Sequence, residues 1–250
     1  MIKFFRRIRQ KQVSEGKTGA YLKYAIGEII LVVIGILIAL SISNWNEERK
    51  IKKAEIEILQ NLKTELKFNL DDLKKINRQH NSELNDGIYL LHLFGTNISK
   101  IPVLKLDSLM SNAFSGYTFE AKDGYIKSLI ASNKIDYIQN PELKSYISSF
   151  ESMIIDANQE EGYVRRLLNE RFWPLTDGKL SALNSISTSD RYKQFPKGTY
   201  LSDYKWFFSN REMEDLLANI FVWKKENVTD EQAFIDRIKK MIHIIDVELK

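Results

Sequence analysis

The side chains best suited to metal binding or acid–base chemistry in this sequence are three histidines. His80, His92 and His243 are scattered along the chain, and none stands in a His-x-x-x-His pair or a comparable cluster of metal ligands. An isolated histidine is more typical of a surface or half-buried position than of a metal site. We therefore predict no metal ligands.

Neighbouring carboxylates are the second candidates for chemistry. Asp71-Asp72 and Glu160-Glu161 could serve in acid–base catalysis, but adjacent residues on a helix point about 100° apart and normally belong to a solvated face. The sequence has no phosphate-binding glycine loop, no Gly-x-Ser-x-Gly elbow and no kinase signature. With no cysteine, thiol catalysis and disulfides are excluded. We predict no catalytic residues and no cofactor.

A stretch rich in aromatic residues is a candidate recognition surface. Exposed amphipathic rings are common in binding sites, and Trp173, Tyr200, Tyr204 and Trp206 would contact a protein, glycan or lipid there. The alternative is structural, because the same rings could cover the open end of a helical bundle and form a second core. Both interpretations stay open at the level of sequence.

An apolar run extends from Ala25 to Ile42, before all of the residues considered above. A helix of these 18 residues reaches about 27 Å, close to the hydrocarbon thickness of a bilayer. Tyr21 and Tyr24 before the run and Trp45 after it fit the aromatic belts at the two membrane surfaces. A cleaved signal peptide and a buried core helix are the alternatives, but the helical pattern continues past Trp45. We predict an uncleaved membrane span.

The distribution of charge predicts the orientation of this span. The formal net charge is +4, but seven Lys and Arg and only one Glu lie in the first 23 residues. A nucleic-acid binder would carry its excess of positive charge on the folded domain, so we predict no nucleic-acid partner. Because Lys and Arg favour the cytoplasmic side, we predict a cytoplasmic N-terminus and a periplasmic C-terminal domain. Residues 1–20 are predicted to be a basic amphipathic tail on the inner membrane; a disordered tail is the alternative.

Glu28 is an acidic residue inside the predicted span. At 100° per residue, Glu28, Gly35 and Ala39 fall within about 20° of one line on the helix. Small residues allow a second helix to approach closely, and a carboxyl group in a membrane usually faces a partner. We predict pairing with a second copy or another membrane protein. The alternative is that Glu28 reaches toward the cytoplasmic head groups.

Two segments carry a resemblance to a known family. The sequence YAIGEIILVVIGILIALSISNWNEERK (24–50), with MIKFFRRIRQK before it, resembles the N-terminus of a family of single-pass membrane proteins from Bacteroidota, known only as a domain of unknown function. GYIKSLIASNKIDYIQNPELKSYISSF (124–150) looks like the second recurrent block of that family. The resemblance implies an inner-membrane protein with a mostly helical soluble domain. It implies no reaction.

Beyond the span, an apolar stripe predicts that the helix continues outward. The stripe is interrupted by Lys52, Asn69 and His80, and its width favours packing in a bundle over a two-stranded coiled coil. The glycine-containing stretch 94–103 is predicted to end this helix. The stripe comprises Ile56, Leu59, Leu62, Leu66, Leu70, Leu73, Ile76 and Leu84.

Shorter helices follow with recognisable boundaries. Asp107 is predicted to cap one helix, and Asn140-Pro141 predicts the start of another that runs to Leu168 and ends before Pro174. Residues 176–190 are rich in Ser, Thr, Gly and Asp and predict a loop.

Two capping boxes predict separate C-terminal helices. Ser209 with Glu212 would open the first, and Thr229 with Gln232 would open the terminal one.

These patterns predict an all-α protein, with a membrane helix that continues into a long stalk helix and a C-terminal helical bundle. The predicted segments are a tail (1–20), a span (21–45), a stalk helix (46–95) and an exported domain (96–250). The leading functional prediction is a non-enzymatic interaction or scaffold protein of the cell envelope that binds a protein partner there. The alternative is a ligand-sensing subunit that works with a cytoplasmic partner, and an envelope hydrolase ranks last. A pocket with convergent polar groups would favour sensing; an exposed apolar strip would favour interaction.

Overall fold

The computed structural model describes residues 18–250, and over that range the chain forms helices and no strands. The prediction of an all-α fold is therefore confirmed. The chain divides into two compact units, residues 1–56 and 57–250. The predicted basic tail lies outside the described residues, apart from its last few positions.

The first helix, α1, runs without interruption over Thr18–Leu91 and is 74 residues long. Its apolar N-terminal part is the one segment of the described chain that is long and apolar enough to span a membrane, and none of its most apolar window is buried. Side chains that are apolar on every face of a helix require a non-aqueous environment or a partner.

The later part of α1 carries the predicted apolar stripe into a core. Leu59, Leu62 and Leu66 are almost completely buried, whereas Ile56 is 38% exposed. Asn69, which interrupts the stripe, is also fully buried. Its side-chain amide bonds the backbone of Lys122 in both directions, with Nδ2 donating to the carbonyl oxygen at 2.6 Å and Oδ1 accepting from N–H at 2.8 Å. Asn69 therefore holds the loop that contains Lys122 against α1 through two hydrogen bonds.

The remaining helices are short except for the last one. A 3₁₀ turn follows the third helix, a π turn follows the fifth, and a further 3₁₀ turn follows the seventh. The helices are α2 (Val103–Ala113), α3 (Gly124–Ala131), α4 (Pro141–Ser148), α5 (Phe150–Leu167), α6 (Trp173–Thr176), α7 (Ala182–Ser187), α8 (Tyr204–Phe207) and α9 (Arg211–Glu248).

The helix starts in the structure confirm some of the predicted N-caps and contradict others. Asn140 caps α4 as predicted, because its side chain accepts a hydrogen bond from Leu143 N–H at 3.0 Å. Asp107 does not cap a helix, since α2 begins before it at Val103 and Asp107 is buried within it. The predicted helix from Pro141 to Leu168 is divided at Ser149.

The region 173–190 is more helical than predicted. Pro174 lies within α6, which follows the π turn without a break, so the predicted end of the helix before Pro174 is wrong. The predicted loop at 176–190 contains α7, which is capped by Ser181.

The last helix is continuous, so the prediction of two C-terminal helices is wrong. Its N-cap is Asn210, one residue after the predicted Ser209, and the Asn210 side chain accepts from Met213 N–H at 3.2 Å. Thr229 lies inside the helix and donates its hydroxyl to the Lys225 carbonyl. A threonine can bond back to its own helix in this way, so a Thr-x-x-Gln pattern does not require a helix start.

Helix α9 packs antiparallel to residues 57–91 of α1, and two hydrophobic cores lie along this pair. One core includes Leu66 and Ile238, and the other includes Leu90 and Leu217. Gly87 allows the close approach of the helices in the second core, because a Cβ at this position would overlap the Phe221 ring.

Candidate ligand-binding site

A buried polar layer separates the two cores along α1 and α9. On α1 it replaces the apolar stripe between Ile76 and Leu84, where the first core ends and the second begins. Buried polar groups are costly unless they are hydrogen-bonded, so the partners of this layer define what it does. The layer consists of Asn77, His80, Glu83, Lys224, Asn227 and Glu231.

His80 is held through both ring nitrogens. Nδ1 lies 2.6 Å from Oε1 of Glu231, and Nε2 lies 2.9 Å from the Tyr117 carbonyl oxygen. A carbonyl oxygen can only accept, so Nε2 carries a proton, and a carboxylate at Nδ1 favours a second one. Burial lowers the pKa of His80, but the hydrogen bond and charge of Glu231, with the Tyr117 carbonyl, outweigh it and raise the pKa above its ordinary value.

Glu231 is buried and accepts hydrogen bonds from several donors. Asn77 Nδ2 donates to its Oε2 at 3.0 Å, and Asn227 Nδ2 donates to its Oε1 at 3.1 Å. With His80, these donors replace the water that the carboxylate loses on burial. Asn77 Nδ2 also lies 3.2 Å from the Val228 carbonyl, which links α1 to the α9 backbone.

A second ion pair lies one turn away. Glu83 is 1% exposed and contacts the Lys224 ammonium through Oε2, while its Oε1 accepts from the Ser115 hydroxyl at 2.6 Å. Ser115 and Tyr117 belong to the connection between α2 and α3, so both ion pairs fasten that connection to the helices.

A cavity of about 340 Å³ opens beside this layer. Its lining combines charged and amide groups with apolar ones. His80, Glu83, Lys224 and Asn227 contribute from the polar layer, and Phe114, Tyr117, Thr118, Glu161, Val164 and Arg165 are among the other lining residues.

Asn227, one of the residues that line this cavity, carries an unpaired acceptor. The residue is 6% exposed, and its Oδ1 is buried without a hydrogen-bond partner in the described part of the chain. The Nδ2 of this amide faces Glu231 Oε1 at 3.1 Å and lies 3.3 Å from His80 Nδ1, and turning the amide over would place Oδ1 against a carboxylate oxygen. A buried acceptor without a partner costs about 1–3 kcal/mol, which a bound molecule with an N–H or O–H group would recover.

The titratable side chains of the layer are bonded to other groups of the protein. A general base needs a nitrogen or oxygen within reach of the proton that it removes. Both nitrogens of His80 already face protein acceptors, and the acceptor oxygens of Glu231 and Glu83 are occupied by protein donors. Within residues 18–250, no group of three or more His, Asp or Glu side chains could hold a metal ion.

Two of the residues that the sequence analysis considered for chemistry are buried rather than exposed. His80 is 8% exposed and Glu160 is 9% exposed, whereas His92 and His243 lie on the surface. Burial raises the pKa of Glu160, and nearby Asp230 and Asp156 add to that effect. The assignment of Glu160 to a solvated face is therefore wrong, because α9 covers that face of α5.

The predicted recognition residues do not form one exposed set. Tyr200 is 83% exposed and Trp173 is 44% exposed, but Trp206 is only partly exposed. Tyr204 is 3% exposed, so its place on a recognition surface is a wrong prediction. Its hydroxyl donates to Asp107 Oδ1 at 2.7 Å.

Asp107 explains why Tyr204 is buried. The same Oδ1 accepts from Ser202 Oγ at 2.9 Å, so Asp107 joins α2 to the segment before α8. Burial and the Asp107 carboxylate both raise the pKa of Tyr204, which remains a hydrogen-bond donor. Part of the aromatic stretch thus belongs to the second core, as the structural alternative predicted.

The predicted membrane residues lie along the first part of α1. Gly35 and Ala39 are exposed, and nothing lies within 4 Å of a Cβ built at Gly35. Glu28 is partly exposed. Trp45 is 62% exposed, with the Arg49 guanidinium carbon 6.0 Å from its ring centre. The side chains of Tyr21 and Tyr24 lie outside the described residues.

Sequence reasoning missed the polar layer. Two features of the sequence belong to it. One is the interruption of the stripe at His80, and the other is the four-residue spacing of Asn227 and Glu231, which places them on one face of α9. Only the packing of α9 against α1 brings these signals together.

The fold and this site define a class: an all-α protein with a helix suited to spanning a membrane, and a polar cavity within its helical bundle. The chain belongs to DUF6090, a family of unknown function whose profile matches residues 28–222. Comparisons with curated proteins and with solved structures gave no match.

Proposed function

We propose that this protein is a membrane-anchored, non-enzymatic sensor of the bacterial envelope, whose helical domain binds a small polar molecule in the His80 cavity. The unpaired Asn227 Oδ1 carries this proposal, because it is a buried acceptor without a partner on a residue that lines the cavity. The ligand offers an N–H or O–H group to that oxygen. Lys224 and Arg165 also line the cavity, and the N–H donors that their ion pairs with Glu83 and Glu161 leave over would bond the remaining polar atoms of the ligand.

Signalling would use α1, because one continuous helix includes both the apolar segment and His80. Binding that favours one of two helix positions would change what a separate cytoplasmic partner reads. We place the helical domain in the periplasm and α1 in the inner membrane. The excess of Lys and Arg before the apolar run supports this orientation.

The test for the ligand uses the full chain in lipid nanodiscs. Thermal unfolding is followed in the presence of amino acids, monosaccharides and small amides, all of which carry hydrogen-bond donors. A ligand present at 100 times its Kd adds about 2.7 kcal/mol of stability, which is readily measured. The expected result is a rise in Tm with one of these classes.

Asn227→Leu should abolish the rise, and Asn219→Leu is the matched control. Asn219 is an exposed asparagine on the same helix whose amide bonds only its own backbone. A rise that persists in Asn227→Leu, or no rise with any class, would contradict the proposal.

The test for orientation is a C-terminal reporter enzyme that is active only outside the cytoplasm. Activity of the fusion is expected. A reporter that is active only in the cytoplasm would reverse the proposed topology.

A scaffold role with an envelope protein partner is the second candidate. The neighbouring residues Tyr200 and Leu201 favour it, because they are 83% and 77% exposed and an exposed apolar pair suits a protein contact. Tyr200→Ser with Leu201→Ser should then reduce crosslinking to a partner in the native envelope and leave ligand-dependent stabilisation unchanged.

A further inference from the structure

A second cavity is also lined in part by the connection that follows α2. Its volume is about 930 Å³, and its walls are mainly apolar and aromatic. The walls include Met110, Phe114, Trp173, Leu180, Ile186 and Phe195. We refer to this cavity as the apolar groove.

The groove leaves large apolar side chains in contact with solvent. Trp173 is 44% exposed and Phe195 is 46% exposed, although each could lose more water by packing. Contiguous exposed apolar surface is typical of a binding site. The volume is far greater than that of the polar cavity, so the two sites suit ligands of different size and polarity.

The polar groups of the groove point to the charge of its ligand. Arg191 lines the groove, is exposed, and forms no ion pair within residues 18–250. Its guanidinium carbon lies 5.4 Å from the ring centre of Tyr192, which lines the same groove. Asp177 also lines the groove, and its carboxylate would favour a cationic ligand. Ligands of opposite charge therefore have to be compared. A guanidinium matches the planar oxygens of a carboxylate or phosphate.

We propose that the apolar groove binds an amphiphile with a long aliphatic chain and an anionic head group. The chain packs against Phe114, Trp173 and Ile186, and the head group bonds Arg191. A free fatty acid and an anionic phospholipid share this chemistry. Each methylene that the groove buries should tighten binding by about fourfold until the chain fills the groove.

Tryptophan fluorescence can locate the chain. The sequence has four tryptophans, Trp45, Trp173, Trp206 and Trp223. Full-length variants that keep one tryptophan and carry Phe at the other three are placed in nanodiscs and titrated with a brominated fatty acid, whose bromine quenches only nearby rings. Trp173 should be quenched saturably, whereas Trp223, which does not line the groove and whose ring centre lies 4.9 Å from that of Tyr163, should not.

Arg191→Gln tests the head group, with Lys193→Gln as its matched control. Lys193 is an exposed cation two residues away that pairs with Asp190 at 2.9 Å and does not line the groove. Because Arg191 is exposed, its replacement leaves the fold intact. Arg191→Gln should weaken binding of the fatty acid by about tenfold or more, in line with the loss of a charged hydrogen bond. Lys193→Gln should leave binding unchanged.

Titrations with other brominated ligands decide the charge of the head group and whether the ligand comes from solution or from the bilayer. A brominated alkylammonium of equal chain length should not quench Trp173, and equal quenching by both head groups would overturn the proposal. Quenching of Trp173 by brominated anionic phospholipid in the disc supports the proposal with the bilayer as the source of the chain. Absence of saturable quenching at Trp173 with fatty acid and phospholipid alike would overturn it. The polar cavity is tested separately through Asn227, so either site can fail alone.

Discussion

His80 on α1 and Glu231 on α9 are 151 residues apart in the sequence and meet at 2.6 Å between Nδ1 and Oε1. Both side chains are buried, and the Nε2 of His80 continues the contact to the Tyr117 carbonyl. One histidine therefore joins both long helices and the connection between α2 and α3.

The first prediction concerns this pair. Glu231→Leu should destabilise the full chain by about 3–5 kcal/mol, because it leaves His80, Asn77 and Asn227 without the buried carboxylate that accepts their hydrogen bonds. The double variant His80→Leu with Glu231→Leu should recover part of that loss, since no imidazole then lies buried without a partner at Nδ1. Thermal or denaturant unfolding in detergent measures both. A double variant less stable than Glu231→Leu alone would contradict the argument.

The second prediction is a pH dependence. The folded-state pKa of His80 lies above its ordinary value of 6.5, so its protonation stabilises the fold fully below pH 6.5. That stabilisation should be lost as the pH rises through the folded-state pKa. The difference in Tm between wild type and His80→Gln should shrink over that range. NMR titration of the imidazole protons supplies the pKa directly. A His80 pKa below the ordinary value of 6.5 would refute the assignment.

The third prediction tests the second ion pair. Lys224→Met should cost about 3 kcal/mol because Glu83 stays buried without its cation. Lys225→Met, on the exposed neighbour, should change stability by less than about 0.5 kcal/mol. Equal effects of the two variants in denaturant unfolding would mean that the Glu83 contact contributes nothing.

The fourth prediction compares two helical glycines. Gly162→Ala should stabilise α5 by about 0.5–1 kcal/mol, because alanine favours helix and nothing lies within 4 Å of the new Cβ. Gly87→Ala should instead destabilise, because the Cβ overlaps Phe221. Combining Gly87→Ala with Phe221→Leu should relieve the overlap. Unfolding midpoints of the three variants check the signs, and stabilisation by Gly87→Ala alone would disprove the close approach.

The fifth prediction concerns the apolar segment of α1. If Glu28, Gly35 and Ala39 face a second helix, Gly35→Leu and Glu28→Ala should each lower the oligomer mass seen in mild detergent. Ile36→Leu, at an adjacent exposed position, is the matched control. Unchanged mass in all three variants would leave no role for this face in pairing.

The sequence by itself determined the helical class, the apolar segment and most of the stripe that packs in the core. These features depend on local periodicity, so Leu59, Leu62 and Leu66 were assigned correctly without knowledge of their partners. The start of α4 was also local, because Asn140 caps a turn only three residues ahead.

Only the tertiary structure decided which polar residues are buried and which aromatic residues remain exposed. His80 and Asn69 looked like interruptions because their hydrogen-bond partners are remote in the sequence. Tyr204 can be buried because its hydroxyl donates to Asp107, which also accepts from Ser202. The cavity beside Asn227 is lined by residues from helices and a connection that are distant in the sequence. A hydrogen bond between residues far apart in the sequence has no local pattern, so periodicity and capping signals do not reveal it.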